Sequence, residues 1–350
     1  MPGARSWYVS AFTIGVLMFA ALWFVIDSRA RVSAESVAEP IALRWVLPHP
    51  PEELFDEAKK IFAEELRDGS GGTLELTTTY FPNELGIEAG DHAFMQLLDD
   101  GKAEMVTDYV EHMGQHQYKF LALTLPYLFD DYNSALEFLD GPGAKPLLES
   151  LSEESPYHAL AFTMSGGFRI FVSKDTPIEK PDDLRGMRVL NAFGGKIIDA
   201  TAEALGYHST FDIRSETNPT LELLDGFDAT ETTYTRIDRL LDNVPSFARY
   251  VTETDHAISL TVLVVTNEFY NSLSPQEQKA LEKAAQDAAR AEKRASIAMT
   301  EPMRKRLREL GATVVVLSPE QKVRFKDAVR PVREIYDGKF ESVLQYLQSD

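Results

Sequence analysis

The sequence predicts an α/β protein made of two layered blocks, and three observations carry that expectation. Strand-like apolar runs alternate with amphipathic helical runs along most of the chain. Its 350 residues exceed what one hydrophobic core usually organises. A composition of 44% hydrophobic and 26% charged residues leaves ample apolar material for a large interior.

Taken in order, Ile41 to Leu47 reads as a first strand, stopped by His49-Pro50-Pro51. Glu52 to Arg67 places Leu54, Ala58, Ile61, Phe62 and Leu66 at helical spacing, and Gly69-Ser70-Gly71-Gly72 closes it. Thr73 to Phe81 alternates and is β-branched, hence a strand. A short helix over Asp91 to Asp100 and a strand over Ala103 to Tyr109 complete a βαβαβ order. That order favours a mainly parallel sheet. Helices over Asn133 to Leu139 and Ala144 to Leu151 precede strands over Ala159 to Met164 and Arg169 to Ser173. A second α/β block follows. It has strands at Arg188 to Leu190 and Phe227 to Thr233, and helices at Gly194 to Leu205 and Thr217 to Asp225. Ala257 to Thr266 reads as a strand returning to the first block. Ser274-Pro275-Gln276-Glu277 is a capping box opening a long helix, which Pro302 should kink. Thr313 to Leu317 is a strand, and Ser318-Pro319-Glu320-Gln321 opens a last helix by the same device.

At the N-terminus, Trp7 to Ile26 carries no charge and, at about 20 residues, is long enough to span a bilayer. Val32-Ser33-Ala34 supplies small residues for signal-peptidase cleavage. Export with residues 1–34 removed as a signal peptide is favoured over a retained membrane anchor, and the expected location is the periplasm.

Composition excludes several functions. A net charge of -20 repels phosphate backbones, so no nucleic-acid partner is expected. The chain has no cysteine, hence no disulfide, thiolate metal site, cysteine nucleophile or lipidated cysteine. His112 and His116 sit four apart, but Gly114 lies between them and no third ligand is evident, so they read as structural. Gly194-Gly195-Lys196 lacks the first glycine and the Ser/Thr of a phosphate loop. Ser165-Gly166-Gly167 lacks the leading glycine of a nucleophile elbow. No set of nucleophile, base and orienter assembles, so neither catalysis nor a cofactor is expected.

Binding candidates remain. Arg169 stands between Gly166-Gly167 and the apolar Ile170-Phe171-Val172, placed to present a guanidinium fork that matches a carboxylate. Phe227-Asp228-Ala229-Thr230-Glu231-Thr232 is a strand carrying polar groups, among them Glu231 and Thr232. His49 and Tyr109 each end a strand, where α/β sheets bind ligands.

Leu125-Pro126-Tyr127-Leu128-Phe129, Pro181-Asp182-Asp183-Leu184-Arg185-Gly186, Phe227 to Glu231 and Tyr250-Val251 with His256 occur in an order that resembles the solute-binding subunits of tripartite ATP-independent periplasmic (TRAP) transporters. The resemblance runs from about Ile41 to the end. It implies a periplasmic-binding-protein-like fold: two α/β domains around a ligand cleft, spanned by a long kinked helix and closing by hinge motion. The implied division is 41–166 with 257–295 for the first domain and 167–256 with 296–350 for the second. The implied role is capture of a small organic, carboxylate-containing solute by a monomer and its delivery to integral-membrane permease subunits. A sensory receptor on the same fold and an exported enzyme are the alternatives.

In that family an arginine two residues beyond the basic position of the second-domain strand pairs with the ligand carboxylate. Counting along Gly186-Met187-Arg188-Val189, the position is Leu190, while Arg169 matches the supporting arginine. Strand alternation puts Arg188 on the side of Leu190 and turns Asn191 the other way. The expected ligand-binding residues are thus Arg169, Arg188, Asn191, His49, Tyr109, Glu231 and Thr232.

Overall fold

The computed structural model describes residues 39–48, 53–80, 85, 92–192, 194–212 and 214–347. The apolar leader with its cleavage site, and His49, lie outside the described residues. Residues 42–350 form one compact unit.

The first strand, β1 (Ile41–Leu47), leads through helix α1 (Glu53–Ser70) to β2 (Leu74–Tyr80). Next come α2 (Ala93–Asp99), β3 (Met105–Tyr109) and the single turn α3 (Val110–Met113). The strand β4 then spans Tyr157–Ser173. It is followed by β5 (Arg188–Asn191), α4 (Lys196–Leu205), β6 (His208–Phe211), β7 (Ala229–Thr233), β8 (Tyr250–Glu253) and β9 (Ile258–Thr266). Helices α5 (Pro275–Ala298) and α6 (Thr300–Glu309), β10 (Thr313–Val316) and α7 (Pro319–Tyr336) complete the frame.

Local signals placed many of these elements. The Ser274–Glu277 and Ser318–Gln321 capping boxes both form, each with its serine accepting from the backbone three residues on. The long helix breaks where Pro302 requires. Proline lacks the N–H that would bond the carbonyl four residues back, Ala298, and its ring clashes there. So α5 ends at Ala298 and α6 begins at Thr300.

The sheet departs from the parallel expectation. The strand order is β2-β1-β3-β9-β4-β7-β5-β6, with β8 on β4 and β10 on β8. β9 runs antiparallel to both β3 and β4, and β4 antiparallel to β7 and β8. Parallel pairing survives at β1–β3, β5–β6, β5–β7 and β8–β10.

The two strands expected on either side of Gly166-Gly167 are one. β4 pairs β9 through Met164, shifts register, stays on β9 at Gly167 and Phe168, and then pairs β7 from Arg169 and β8 from Phe171. The shift is made by glycines with φ of 124° at Gly166 and 80° at Gly167. A Cβ on Gly166 would strike the Thr233 side chain, and one on Gly167 the Tyr132 hydroxyl, which also accepts the Phe168 N–H at 3.0 Å. Gly167→Ala should therefore lower stability by about 2–3 kcal/mol, from backbone strain plus overpacking. Equilibrium urea unfolding measures it, and an unchanged midpoint would show that the backbone here relaxes freely.

Helix α5 is tied to β4 by buried polar groups. Glu292, 1% exposed, accepts the Met164 N–H at 2.7 Å and the Ser296 hydroxyl at 2.8 Å. Lys293 donates to the Phe162 carbonyl at 2.7 Å and lies 2.9 Å from Asp140. Burial pushes the Glu292 carboxyl up to about 7 from 4.5, against the pull of its two donors. Between those two values the folded state keeps a proton that the unfolded state gives up. Stability should consequently fall as pH rises from 4.5 to 7, by about 3 kcal/mol. Glu292→Gln should flatten that slope. Urea titrations of both proteins at the two ends of the window are the check, and parallel slopes would remove Glu292 as the cause.

Candidate functional site

A crevice forms where β4, β7, α3 and α4 approach one another. Arg169 sits two residues past Gly167, its N–H bonded to the Ala257 carbonyl at 2.9 Å. The residue is 6% exposed and its Nε donates to Glu231 Oε1. Strands β4 and β7 set Phe171 opposite Glu231, so Arg169 and Glu231 share a sheet face, one alternation apart. His256 Nε2 lies 3.4 Å from the same carboxylate oxygen. Its Nδ1 is 2.6 Å from Thr254 Oγ1, and its ring lies nearly parallel to Phe171 at 5.2 Å.

Burial alone would raise the Glu231 carboxyl. The Arg169 guanidinium, aided by His256, overrides it and holds the group down at about 2. Glu231 is therefore ionised across the physiological range, and the contact is a buried ion pair.

Glu111, Thr124, Ile198, Thr201 and Tyr207 line the rest of the crevice. Glu111, Thr124 and Ile198 also line an outer groove of about 580 Å³, whose rim carries His112, Lys196 and Phe211. The inner crevice thus opens outward through shared walls. A separate groove of about 430 Å³ beside α5 is lined by His158, Glu282 and Lys293. Its lysine is already bonded to Phe162 and Asp140. The 580 Å³ groove shares walls with the crevice that holds the buried Arg169, whereas the second is lined by Arg290, whose side chain is 39% exposed.

Among the expected residues, the structure brings Arg169 and Glu231 together. Tyr109 is 4% exposed and packs on Ala192 and Ile198, behind the wall. Asn191 is fully buried and donates to Ser209 Oγ at 2.7 Å. It is not among the residues that line the crevice. Thr232 alternates to the opposite face of β7 from Glu231.

Arg188 is placed elsewhere. Its side chain is 59% exposed, and Asp228 lies 3.9 Å away. Leu190 requires the same correction. It is 1% exposed and belongs to an apolar cluster with Ile170, Leu224, Tyr234 and Ile237. Both point away because β5 pairs Asn191, not Leu190, with Glu231. The face of β5 turned toward the crevice holds Val189 and Asn191. Leu190 is a core residue, not an anchor position that has lost its arginine.

Sequence reasoning missed Glu111, Tyr207 and Thr201 as lining residues, and noted His256 only as part of a motif. For Glu111 a signal existed: it lies two residues past Tyr109 at the same strand-to-helix junction. The His112–His116 pair holds no metal-ligand geometry. His112 Nδ1 contacts Asp108 at 2.8 Å, and His116 stands edge-on to Tyr157. No group of metal-ligating side chains occurs among the described residues.

A mixed α/β frame around a recessed, charge-bearing crevice is an arrangement suited to holding a small polar solute. The chain belongs to the family described as bacterial extracellular solute-binding protein, family 7, which matches residues 48–339. It is 23% identical to the C4-dicarboxylate-binding periplasmic protein DctP of Rhodobacter capsulatus, over 87% of this chain and 88% of that one. A TRAP periplasmic solute binding protein from Ochrobactrum anthropi superimposes with a TM-score of 0.78 at 20% identity, covering 88% and 94% of the two chains. Another from Chromohalobacter salexigens, with bound D-glucuronate, gives 0.75 at 20% identity over 87% and 99%. No helix among the described residues is long and apolar enough to cross a membrane.

Proposed function

We propose that this protein captures a small organic acid outside the cytoplasm and delivers it to the membrane permease of a TRAP transporter, without chemical change to the solute. One observation carries the reading: a guanidinium buried two residues past the glycine corner of a strand, in a crevice whose walls mix apolar and polar side chains. Such a group meets a carboxylate with two parallel hydrogen bonds and loses little freedom in doing so. A relative named for C4-dicarboxylate binding and a structural neighbour holding D-glucuronate support an acid as the ligand class.

Capture proceeds by closure between residues 41–166 with 257–295 and residues 167–256 with 296–350. The chain passes between these sets at Gly166-Gly167, at His256-Ala257 and near the break at Met299. The first has two glycines in the left-handed region, and Asp255 beside the second has φ 51°. These are positions able to absorb dihedral change.

Thermal denaturation against a panel of organic acids, sugar acids and amino acids tests the reading. A true ligand at 100 times its Kd should add about 2.7 kcal/mol by mass action and contract the radius of gyration in solution scattering. A flat response across the whole panel would defeat the proposal.

A further inference from the structure

Helix α5 grips β4 just before its glycine corner through contacts that one proton can rearrange. Glu292 Oε2 takes the Met164 N–H at 2.7 Å. Ser296 Oγ lies 2.7 Å from the Met164 carbonyl oxygen and 2.8 Å from Glu292 Oε1. A hydroxyl has one hydrogen to give, and a carbonyl oxygen can only accept. With Glu292 ionised, Ser296 can donate to the carboxylate, as described above, or to Met164, but not to both. A proton on Oε1 resolves the conflict. Glu292 then donates to Ser296, Ser296 donates to the Met164 carbonyl, and Oε2 still accepts the Met164 N–H. Only the neutral carboxyl makes all three contacts hydrogen bonds at once.

The surroundings favour that proton near neutral pH. The two charges facing Glu292 are engaged elsewhere. Lys293 is on the Phe162 carbonyl and Asp140, and Arg236 is on the Ser165 carbonyl and hydroxyl. The small cavity against Glu292 is walled by Trp45, Phe55, Ala58, Thr107, Thr163 and Leu263 among others, and none of its other walls carries a charge. A buried charge without a close partner is costly, in keeping with the upward push on this carboxyl to about 7.

We propose that Glu292 and Ser296 form a proton-operated catch on the glycine corner of β4, engaged while Glu292 holds its proton and released when the proton leaves. On release Ser296 turns from the Met164 carbonyl to the carboxylate. Helix α5 keeps the Met164 N–H but lets go of its carbonyl, and the corner at Gly166-Gly167 moves more freely above neutral pH than below it. Arg169 stands five residues past Met164 on the same strand, so ambient pH reaches the crevice through the backbone. The catch goes beyond the capture reading and does not depend on which solute is bound. Glu292→Gln reproduces the engaged set at every pH: its amide oxygen accepts from Met164 and its amide N–H donates to Ser296.

The test uses the full chain without solute. Infrared spectra of the wild type should show a protonated carboxyl at about pH 6 that is lost by about pH 8, one unit either side of 7, and Glu292→Gln should lack it. Hydrogen exchange of the Gly166 to Arg169 amides, corrected for the intrinsic rate, gives the second readout. Wild-type protection should fall about fivefold or more between the same pH values, the scale of one hydrogen bond. Glu292→Gln should keep the higher protection at both. Ser296→Ala, which lacks the moving hydroxyl, should show the lower protection at both. Identical carboxyl signals in the wild type and Glu292→Gln would overturn the inference. So would a fall of the same size in Glu292→Gln, which would assign it to other groups, His256 included. A pH step that survives in Ser296→Ala would overturn it as well.

Discussion

Arg169→Leu is expected to cost about 3–5 kcal/mol of folding stability and all measurable affinity for organic acids. The stability loss comes from Glu231. That carboxylate is 3% exposed and is held ionised mainly by the guanidinium. Without Arg169 it must stay charged with His256 as its remaining partner or take up a proton. The binding loss comes from the anchor itself. Two further variants separate these effects. Arg169→Lys keeps a positive charge against Glu231, so folding should be largely retained. It loses the planar fork, so affinity should fall by a factor on the order of 100, the scale of one bidentate charged contact. The double replacement Arg169→Leu with Glu231→Leu removes both charges and should recover most of the lost stability, since buried pairs replaced by apolar residues are often neutral. It should not recover binding. Urea unfolding and calorimetry on the three variants give the answer, and wild-type affinity in Arg169→Lys would remove Arg169 from the ligand contacts.

Leu190→Arg is the second large effect, and its sign differs from what residue counting suggests. If position 190 faced the solute, an arginine there would add a carboxylate anchor. In the structure the side chain lies among Ile170, Leu224, Tyr234 and Ile237, on the opposite face of β5 from Asn191. Arginine there would bury an unpaired charge and overfill an apolar cluster. A loss of more than about 4 kcal/mol is expected, with no new affinity for simple acids. Melting and acid titration of the variant decide the matter. A stable protein with tighter acid binding would mean that β5 presents its other face in solution.

What the sequence disclosed and what it hid follow a physical division. Features set by neighbours a few residues apart were legible: the capping boxes at Ser274 and Ser318, the break imposed by Pro302, the alternation of β2. The pairing of Arg169 with Glu231 was approached from the glycines before one and the polar strand carrying the other. Features set by distant pairing were not legible. Two glycines read as the end of a strand, yet β4 continues through them because β9 pairs it on both sides of the register shift, and β7 and β8 take over farther on. The facing of Leu190 depends on the register of β5 against β7, which no local pattern encodes. Glu111 becomes notable only when α4 and the 3₁₀ turn Tyr118–Thr124 close around it.

The continuity of β4 has a consequence for timing. The arginine proposed to meet the solute and the glycines proposed to bend are two residues apart on one strand. In the proposed closure, turning the backbone at Gly167 reorients Arg169 directly, with no relay of side chains between detector and actuator. Release of the solute and reopening then share a single barrier. A substitution that stiffens the Gly166-Gly167 corner should slow dissociation and opening by the same factor, so residence time would be tuned from the backbone rather than from the pocket wall.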